Sequence, residues 1–321
     1  MVFNDENIKY CLLSWDFYEE AEDNAYGNQK IPISGLFNWA NALNGARTFP
    51  RSEQDLAQFN LYHINITSRN LFLLETFLKQ KPREAKLLLN VDYAVEMWSQ
   101  SFPVYPDLFF SLIDKADYIF AVEPLQSEIL STELRRNVPV IPHPVATHLL
   151  KNMRSPERDN QIGISLHRYD TSNLYPAALV ARRLPKHFQT VAVGSTSSKA
   201  TLLHLFDFIK ETTPFEEFIK TINRFYAVFE SYSMHSYGRF TAECAALGIP
   251  CVGATCVHSL NECFPDLTYF DTNSIERPAE HLNDLINDQA FYSEMVNKSI
   301  ELSENFSYKT CKEKLFKLLN G

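Results

Sequence analysis

Short apolar runs alternate with amphipathic stretches along most of the chain, which predicts strands separated by helices. In the first half, runs that are apolar on both faces predict strands over residues 8–15, 60–66, 87–92, 118–122 and 138–142. Residues 36–45 carry apolar side chains on one helical face and end at Gly45, so they predict a helix. Strands that are apolar on both faces are typical of a parallel sheet covered by helices on each side.

A polar, charged stretch over residues 151–161 interrupts this alternation and is interpreted as a linker between two domains. A second series follows, with strands predicted over residues 162–166, 190–193, 203–206, 227–229 and 250–253, and a last helix over 308–319. The pattern therefore predicts two doubly wound, Rossmann-like α/β domains with parallel sheets. We expect an N-terminal domain over residues 1–150, a C-terminal domain over 151–305, and a final helical segment, 306–321, that packs back towards the first domain.

Composition and charge exclude several classes of function. The 321-residue length fits two domains, and 30 Lys and Arg against 39 Asp and Glu leave a net charge of −9. This charge argues against a broad nucleic-acid-binding surface, which needs clustered excess Lys and Arg. No apolar run approaches the ~18 residues of a membrane span, and the N-terminus lacks the pattern of a secretory signal. We therefore predict a cytoplasmic protein without a transmembrane segment, and peripheral contact with a membrane stays open.

The cysteines do not predict a metal centre. The chain has 6 of them, none in a C-x-x-C pair, and the spacings between Cys244 and Cys263 match no zinc pattern. We expect buried, reduced thiols and no metal site.

The stretch over residues 235–253 carries the most informative chemistry. Gly238 permits a tight turn, a helix rich in small residues follows, and Pro250 opens a short buried strand. A helix that starts behind a glycine turn presents free backbone N–H groups and the positive end of its dipole, which suits a phosphate. Glu243 lies one to two turns into that helix and can accept hydrogen bonds from sugar hydroxyls. By the residues alone, an ordinary α/β unit with a surface glutamate explains the pattern equally well.

The same stretch resembles the donor-binding motif of retaining GT-B glycosyltransferases of glycosyltransferase family 4. Tyr237-Gly238 is similar to the family's Phe-Gly step, Glu243 to its second glutamate, and Gly248-Ile249-Pro250-Cys251-Val252 to its ending. Further similar segments follow the family's order along the chain: Ser34-Gly35, residues 62–65, 116–122, 141–145, 192–195 and 306–308. The resemblance implies a GT-B fold, with two Rossmann-like domains that face each other across a cleft where the substrates bind.

The resemblance also implies an activity: transfer of a sugar from a nucleoside-diphosphate sugar to an acceptor hydroxyl, with retention of configuration and without metal. The co-substrate would be a UDP-, GDP- or ADP-sugar, no other cofactor is expected, and the acceptor would be a glycan, a lipid-linked sugar or a small molecule. The donor-binding residues that it indicates are Gly35, Arg168, Gly238, Arg239, Phe240 and Glu243.

Three further residues are candidates for catalysis. His235 stands where the family has its first glutamate, so we expect it to face the donor sugar or its phosphate. His63 and Asp92 lie at predicted strand ends of the first domain, where either could assist the acceptor hydroxyl. The chain also departs from the family at Asn173, where relatives have a lysine that binds the diphosphate.

Two other functions remain open at this stage. Because two expected charged groups are replaced, the chain could be a catalytically impaired GT-B-like binding or scaffold subunit. It could also be a nucleotide-sugar epimerase or hydrolase on the same fold. Release of nucleoside diphosphate from a nucleotide-sugar, with or without an acceptor, discriminates among these functions.

Overall fold

The computed structural model describes residues 2–13, 35–48, 57–67, 70–91, 93–102, 104–166, 174–194, 205–211 and 215–321. Its strands are β1 (Tyr10–Leu13), β2 (Ala46–Thr48), β3 (Leu61–Ile66), β4 (Lys86–Val91), β5 (Tyr118–Phe120), β6 (Gln161–Ser165), β7 (Gln189–Gly194), β8 (Phe208–Glu211), β9 (Ala227–Glu230), β10 (Cys251–Ala254) and β11 (Thr268–Tyr269).

The helices in these ranges are α1 (Asn38–Ala42), α2 (Leu73–Gln80), α3 (Trp98–Ser101), α4 (Pro106–Ile113), α5 (Pro124–Leu134), α6 (Thr147–Met153), α7 (Leu174–Ala181), α8 (Phe215–Ile222), α9 (Arg239–Leu247), α10 (His258–Cys263), α11 (Glu276–Asn287), α12 (Gln289–Leu302) and α13 (Tyr308–Asn320). Short 3-10 turns occur at Gly35–Phe37, Val95–Met97, Pro265–Leu267 and Ser303–Phe306.

The first sheet is parallel, with the strand order β2-β1-β3-β4-β5. Every residue of β3 is buried, as the run of apolar residues on both faces of the strand predicts. Aliphatic side chains of β3 and β4 pack against Phe77 of α2 and Phe109 of α4 to form one hydrophobic core. This core stabilises the first sheet.

The second sheet is also parallel, with the strand order β11-β10-β9-β6-β7-β8. The chain starts in the middle at β6, adds β7 and β8 on one side, and then returns to add β9, β10 and β11 on the other side. The strands β6 and β9 are therefore neighbours at the point where the order reverses. In open α/β sheets, ligands bind beyond the carboxyl ends of the strands at such a point.

The chain divides into two compact units. The first comprises residues 1–144 and 306–321, and the second comprises 145–305. Residues 145–150, which the sequence analysis assigned to the first domain, lie in the second unit, where α6 contacts α9. Helix α13 belongs to the first unit, and the hydroxyl of Tyr308 donates a hydrogen bond to Asn38 Oδ1 of α1 at 2.5 Å.

Two arginines of the linker stretch satisfy the carboxyl end of α9. Arg154 Nε donates to the carbonyl oxygen of Ala246 at 2.8 Å, and Arg158 Nη2 donates to that of Leu247 at 2.8 Å. The last carbonyl groups of a helix have no partner within the helix, and cations stabilise that end of the dipole. The segment that the sequence analysis interpreted as a linker is thus packed onto the helix that bears Glu243.

Most predicted strands are found within one or two residues of their expected positions. Two predictions are wrong. The run over 138–142 contributes a single bridge, between Ala121 and Val140, and is not a strand of the sheet. The strand expected over 203–206 begins later, since β8 starts at Phe208 and Leu205 and Phe206 belong to a turn. The short strands β2 and β11 had no signal in the apolar pattern because they have only three and two residues.

Candidate functional site

The loop between β9 and α9 is held in place by backbone hydrogen bonds to the segment that follows β10. The Ser236 N–H donates to the Cys256 carbonyl at 3.1 Å, and the His258 N–H donates back to the Ser236 carbonyl at 2.9 Å. The Ser259 N–H adds a bond to the Tyr237 carbonyl at 3.0 Å. The loop thus leads into α9 along a defined path at the carboxyl edge of the second sheet.

Gly238 makes the turn into α9 and has no room for a side chain. Its φ of 76° lies in the left-handed region, and a Cβ there would overlap Val257 Cγ1 and lie 2.5 Å from Ser259 Oγ. Its carbonyl oxygen accepts hydrogen bonds from Thr241 Oγ1 at 2.7 Å and Ser259 Oγ at 2.5 Å. The predicted glycine turn is confirmed, and its cause is both the backbone conformation and the close neighbours.

The amino end of α9 has the features of an anion-binding end. Its N-cap residue, Gly238, has no side chain that could cap it, and its first turn contains no acidic residue. The first N–H groups of a helix have no partner within the helix and carry the positive end of its dipole. An anion such as a phosphate placed at this end would be stabilised.

Arg239 and Glu243 form an ion pair one turn apart on α9. Arg239 Nε donates to Glu243 Oε1 at 2.5 Å, and the side chains are only 18% and 3% exposed, respectively. Burial raises the pKa of Glu243, and the guanidinium of Arg239 opposes that shift. The two predicted donor-binding residues therefore depend on each other: the carboxylate is buried, and its charged neighbour is this arginine.

Phe240 and His235, the other predicted residues of this segment, are both half-buried. The ring of Phe240 packs on Phe218 of α8 with the centroids 5.8 Å apart. His235 lies in the loop before Gly238, next to Ser236, whose backbone is bonded on both sides. The predicted residues of 235–243 thus lie on the loop before α9 and on the first half of that helix, and their roles at the donor stay predictions.

Glu230 is a residue of this site that the sequence analysis missed. It is the last residue of β9, and its carboxyl group is buried and accepts hydrogen bonds from the Ser165 hydroxyl and the Tyr232 N–H. Burial raises the pKa of Glu230 to about 7. The available signal was a glutamate that ends an otherwise apolar strand, in Ala227-Val228-Phe229-Glu230.

Three other predicted site residues, Gly35, Arg168 and Asp92, do not belong to the segment over 235–243. Gly35 opens the 3-10 turn that precedes α1 in the first unit. Arg168 and Asp92 lie outside the described residues, so their predicted roles stay predictions.

The expected position of His63 at a strand end is wrong. His63 is the third residue of β3, fully buried, and pairs with Leu12 and Leu88 of the neighbouring strands. Its Nδ1 lies 2.6 Å from the Tyr10 hydroxyl and its Nε2 lies 2.7 Å from Asn90 Oδ1. The Asn90 oxygen can only accept, so Nε2 carries the proton and Nδ1 accepts from the tyrosine. These surroundings describe a structural histidine and lend no support to a role at an acceptor hydroxyl.

The stability of the first unit is expected to fall at mildly acidic pH because of His63. Burial lowers the pKa of His63 to about 4, whereas an unfolded histidine has a pKa near 6.5. The unfolded chain therefore binds the proton first, and stability is lost as the pH falls from about 6.5 towards about 4, by on the order of 3 kcal/mol. Because Trp15, Trp39 and Trp98 all belong to residues 1–144, tryptophan fluorescence during urea unfolding reports this unit.

The matched variant for this measurement is His63→Gln, whose amide keeps a donor and an acceptor without titrating. We expect its unfolding free energy to change less between pH 6.5 and pH 4.5 than that of the wild type. Equal pH dependence in the two proteins would show that another group causes the loss.

The described cysteines are free thiols, and most of them are buried. The expected burial is confirmed for Cys11, Cys244, Cys251, Cys263 and Cys311, whereas Cys256 is only half-buried. Within the described residues, no group of three or more His, Cys, Asp or Glu side chains is placed to hold a metal ion. None of the described helices combines the length and apolar character needed to cross a membrane.

The fold is that of GT-B glycosyltransferases, which confirms the fold class predicted from the sequence. An alpha-glucosyltransferase in complex with UDP-glucose and DNA containing an abasic site is similar over 98% of this chain and 99% of its own, with a TM-score of 0.65 and 12% identity. Anabaena Alr3699/HepE in complex with UDP-glucose is similar over 98% and 99%, with a TM-score of 0.65 and 11% identity. TarM is similar over 81% of this chain, with a TM-score of 0.64 and 14% identity, and the chain spans 55% of TarM. No protein-family model and no curated protein sequence matches the chain.

Proposed function

We propose that this protein is a glycosyltransferase that moves a sugar from a nucleoside-diphosphate sugar to an acceptor hydroxyl, with retention of configuration and without metal. The observation that carries the proposal is the amino end of α9: a helix that starts directly behind the turn at Gly238, with Glu243 one turn further on, at the carboxyl edge of a sheet in a GT-B fold. Among similar structures, an alpha-glucosyltransferase and HepE are complexes with UDP-glucose. We therefore take a uridine diphosphate sugar as the first donor to test.

The proposed role of each group follows from the charge that develops on the diphosphate during the reaction. When the bond between the anomeric carbon and the diphosphate breaks, its electron pair stays on the phosphate oxygen, and negative charge builds there. The N–H groups at the start of α9 would stabilise this charge, together with the Arg239 and Arg168 side chains. The Glu243 carboxylate would accept hydrogen bonds from the ribose hydroxyls. The acceptor oxygen forms the new bond to the anomeric carbon and gives its proton to the departing diphosphate, which carries the electron pair of the broken bond.

The decisive test has two parts. First, thermal unfolding of the pure protein is measured with UDP, GDP, ADP and their glucose conjugates. A ligand at about 100 times its Kd stabilises by roughly 2.7 kcal/mol, so a selective shift identifies the base. Second, release of the nucleoside diphosphate is measured with a panel of acceptors.

The outcomes separate the candidate functions. Nucleotide binding with acceptor-dependent release supports the transferase. Binding without any turnover supports the binding or scaffold subunit, for which the replacement of the family's first glutamate by His235 is the favouring observation. Release to water alone indicates a hydrolase, and conversion of the sugar without release indicates an epimerase. No shift with any nucleotide overturns the proposal.

Replacing His235 by glutamate is expected to change the donor sugar preference or the rate. An imidazole can donate a hydrogen bond to a sugar or phosphate oxygen, whereas a carboxylate only accepts and adds a negative charge. We expect kcat/KM for the preferred donor to fall about tenfold or more, which corresponds to about 1.4 kcal/mol. The measurement is kcat/KM for two donors that share the base and differ in the sugar.

His187→Glu is the matched control, because His187 is exposed in the turn before β7, at the amino edge of the sheet. It introduces the same charge change away from the carboxyl edge. If the two variants leave kcat/KM and the sugar preference equally unchanged, His235 has no role at the sugar.

A further inference from the structure

An ionisable side chain, Glu230, lies at the switch point, which is where the order of the strands reverses between β6 and β9. Ser165, the last residue of β6, lies in register with Glu230, the last residue of β9. The crevice beyond these two strand ends is where the order of the sheet reverses and where anionic nucleotides bind in such folds. Glu230 thus ends its strand at the edge of the sheet where such folds bind their ligands.

Hydrogen bonds and close packing hold Glu230 at that position. Its Oε1 accepts from the Tyr232 N–H at 3.2 Å, and the Ser165 hydroxyl donates to the same carboxyl group. Ser231 Oγ donates to the Ser165 carbonyl at 2.6 Å, which joins the two strand ends. On β10, Gly253 leaves the space that the glutamate needs, because a Cβ there would lie 3.1 Å from Glu230 Cβ and 2.8 Å from its carbonyl oxygen.

Two described titratable groups that interact with Glu230 keep their charge near neutral pH. These groups are the Cys251 thiol of β10, the strand next to β9, and the Tyr269 phenol of β11, one strand further on. Burial raises the pKa of both well above their usual values, so both stay neutral at pH 6 to 8. Beyond Ser165 the chain continues with His167, Arg168 and Asp170, which lie outside the described residues.

We propose that Glu230 takes up a proton when the nucleotide-sugar donor binds, so that donor affinity falls as the pH rises through neutrality. The inference rests on the proposed function, since it requires the diphosphate of the donor to bind at this edge of the sheet. A carboxylate in the floor of the crevice repels the diphosphate, and the neutral acid does not. The proton comes from solvent and stays on the carboxyl group while the donor is bound, and no covalent bond of the protein forms or breaks.

The size of the effect follows from Coulomb's law. If a donor phosphate lies about 10 Å from the Glu230 carboxylate, an effective dielectric constant of about 20 makes one repulsion between like charges weaken binding by about tenfold. Burial already places the pKa of the carboxyl group at about 7 in the free protein. When the bound donor raises the pKa of Glu230 further, the carboxyl group becomes mostly protonated at pH 7. Each donor that binds near pH 7 is then accompanied by uptake of roughly half a proton.

The test is isothermal titration calorimetry with UDP-glucose, whose diphosphate is a diester and does not itself titrate near neutral pH. Titrations at pH 7 in two buffers of different ionisation enthalpy give the number of protons taken up. For the wild type we expect proton uptake and a Kd about fivefold higher at pH 8 than at pH 6, which is the part of the tenfold difference that this pH range covers. For Glu230→Gln, which mimics the neutral acid, we expect no proton uptake and a Kd that stays near the low-pH value of the wild type.

Two further variants give the comparison its controls. Glu294→Gln removes an exposed carboxylate of α12 and should behave as the wild type. Ser165→Ala removes a hydroxyl that stabilises the ionised carboxyl group, so the midpoint of the pH dependence should move to higher pH. This second variant tests the inference even if Glu230→Gln does not fold.

The results that overturn the inference differ from those that overturn the proposed function. UDP-glucose binding without proton uptake, or with a pH dependence that persists in Glu230→Gln, overturns the role of Glu230 and leaves the transferase proposal intact. A pH dependence that disappears only in His235→Gln assigns the proton to that histidine instead. Absence of binding by any nucleotide or nucleotide-sugar at either pH overturns both.

Discussion

Gly238→Ala is expected to unfold the start of α9 locally and to abolish donor binding. The variant combines a backbone conformation that alanine rarely adopts with overlap between its Cβ and the side chains of Val257 and Ser259. Positive φ and overpacking each cost on the order of 1–3 kcal/mol, so we expect a loss of about 3 kcal/mol in the second unit. Hydrogen exchange of the peptide covering residues 239–247 measures the loss of protection, and the nucleotide thermal shift measures the loss of binding.

Gly248→Ala is the matched control for this prediction. Gly248 ends α9 with a similar φ of 70°, but its Cβ would meet only flexible side-chain ends, Ile300 Cδ1 at 3.0 Å and Val296 Cγ1 at 3.3 Å. We expect a loss of about 1 kcal/mol and unchanged nucleotide binding. Equal effects of the two variants on binding would mean that the turn at Gly238 has no special role at the donor site.

Glu243→Gln is expected to raise the KM for the donor by about 100-fold. A carboxylate that accepts from two ribose hydroxyls makes charge-assisted hydrogen bonds, and their loss costs about 3 kcal/mol, equivalent to about two powers of ten. A donor with 2′-deoxyribose lacks one of these hydroxyls. The wild type should therefore discriminate strongly against the deoxyribose donor, and Glu243→Gln should discriminate little.

The comparison of ribose and deoxyribose donors distinguishes this role from a structural one. A general loss of folding lowers activity with both donors by the same factor, whereas loss of a ribose contact affects the natural donor more. Glu294→Gln, on the exposed face of α12, should leave both KM values unchanged. If Glu243→Gln keeps the wild-type preference for ribose, the carboxylate does not contact the sugar of the nucleotide.

The ion pair on α9 limits how this site can be altered. Glu243 is buried, and burial favours its protonated form, so its ability to accept two hydrogen bonds depends on the nearby charge of Arg239. Removal of the arginine would leave a buried carboxylate without its cation, which is costlier than removal of the glutamate, because the partly exposed arginine can turn towards water. The two residues therefore act together in the proposed donor site.

Much of the architecture could be predicted from the chain because its local signals agree with one another. The apolar runs that became β3, β4 and β9 are short and apolar on both faces, and only a covered parallel sheet accommodates such strands. The turn at Gly238 and the end of α9 at Gly248 were visible because glycine alone tolerates these conformations without strain. The proximity of Glu243 to that turn follows from helical spacing, so this part of the candidate site was also readable.

The environments of the side chains could not be predicted from the sequence, because they depend on strands that are distant from one another in the chain. His63 looked like a candidate base, yet the order β1-β3-β4 places Tyr10 on one side of its ring and Asn90 on the other. Glu230 was visible only as a glutamate that ends an apolar strand, and it is the return of the chain from β8 that places it beside Ser165 at the switch point. The run over 138–142 has the composition of a strand but forms only one bridge with Ala121.

By itself, the sequence determined the class of fold, the order of its strands and helices along the chain, and the turn that starts α9. These features follow from local propensity and from the periodicity of apolar residues, which act over a few neighbouring positions. Only the tertiary structure decided the order of strands within each sheet, and with it the burial and the partners of His63, Glu230 and Glu243. The ionisation of a side chain depends on desolvation and on neighbouring charges, and both are properties of the packed molecule.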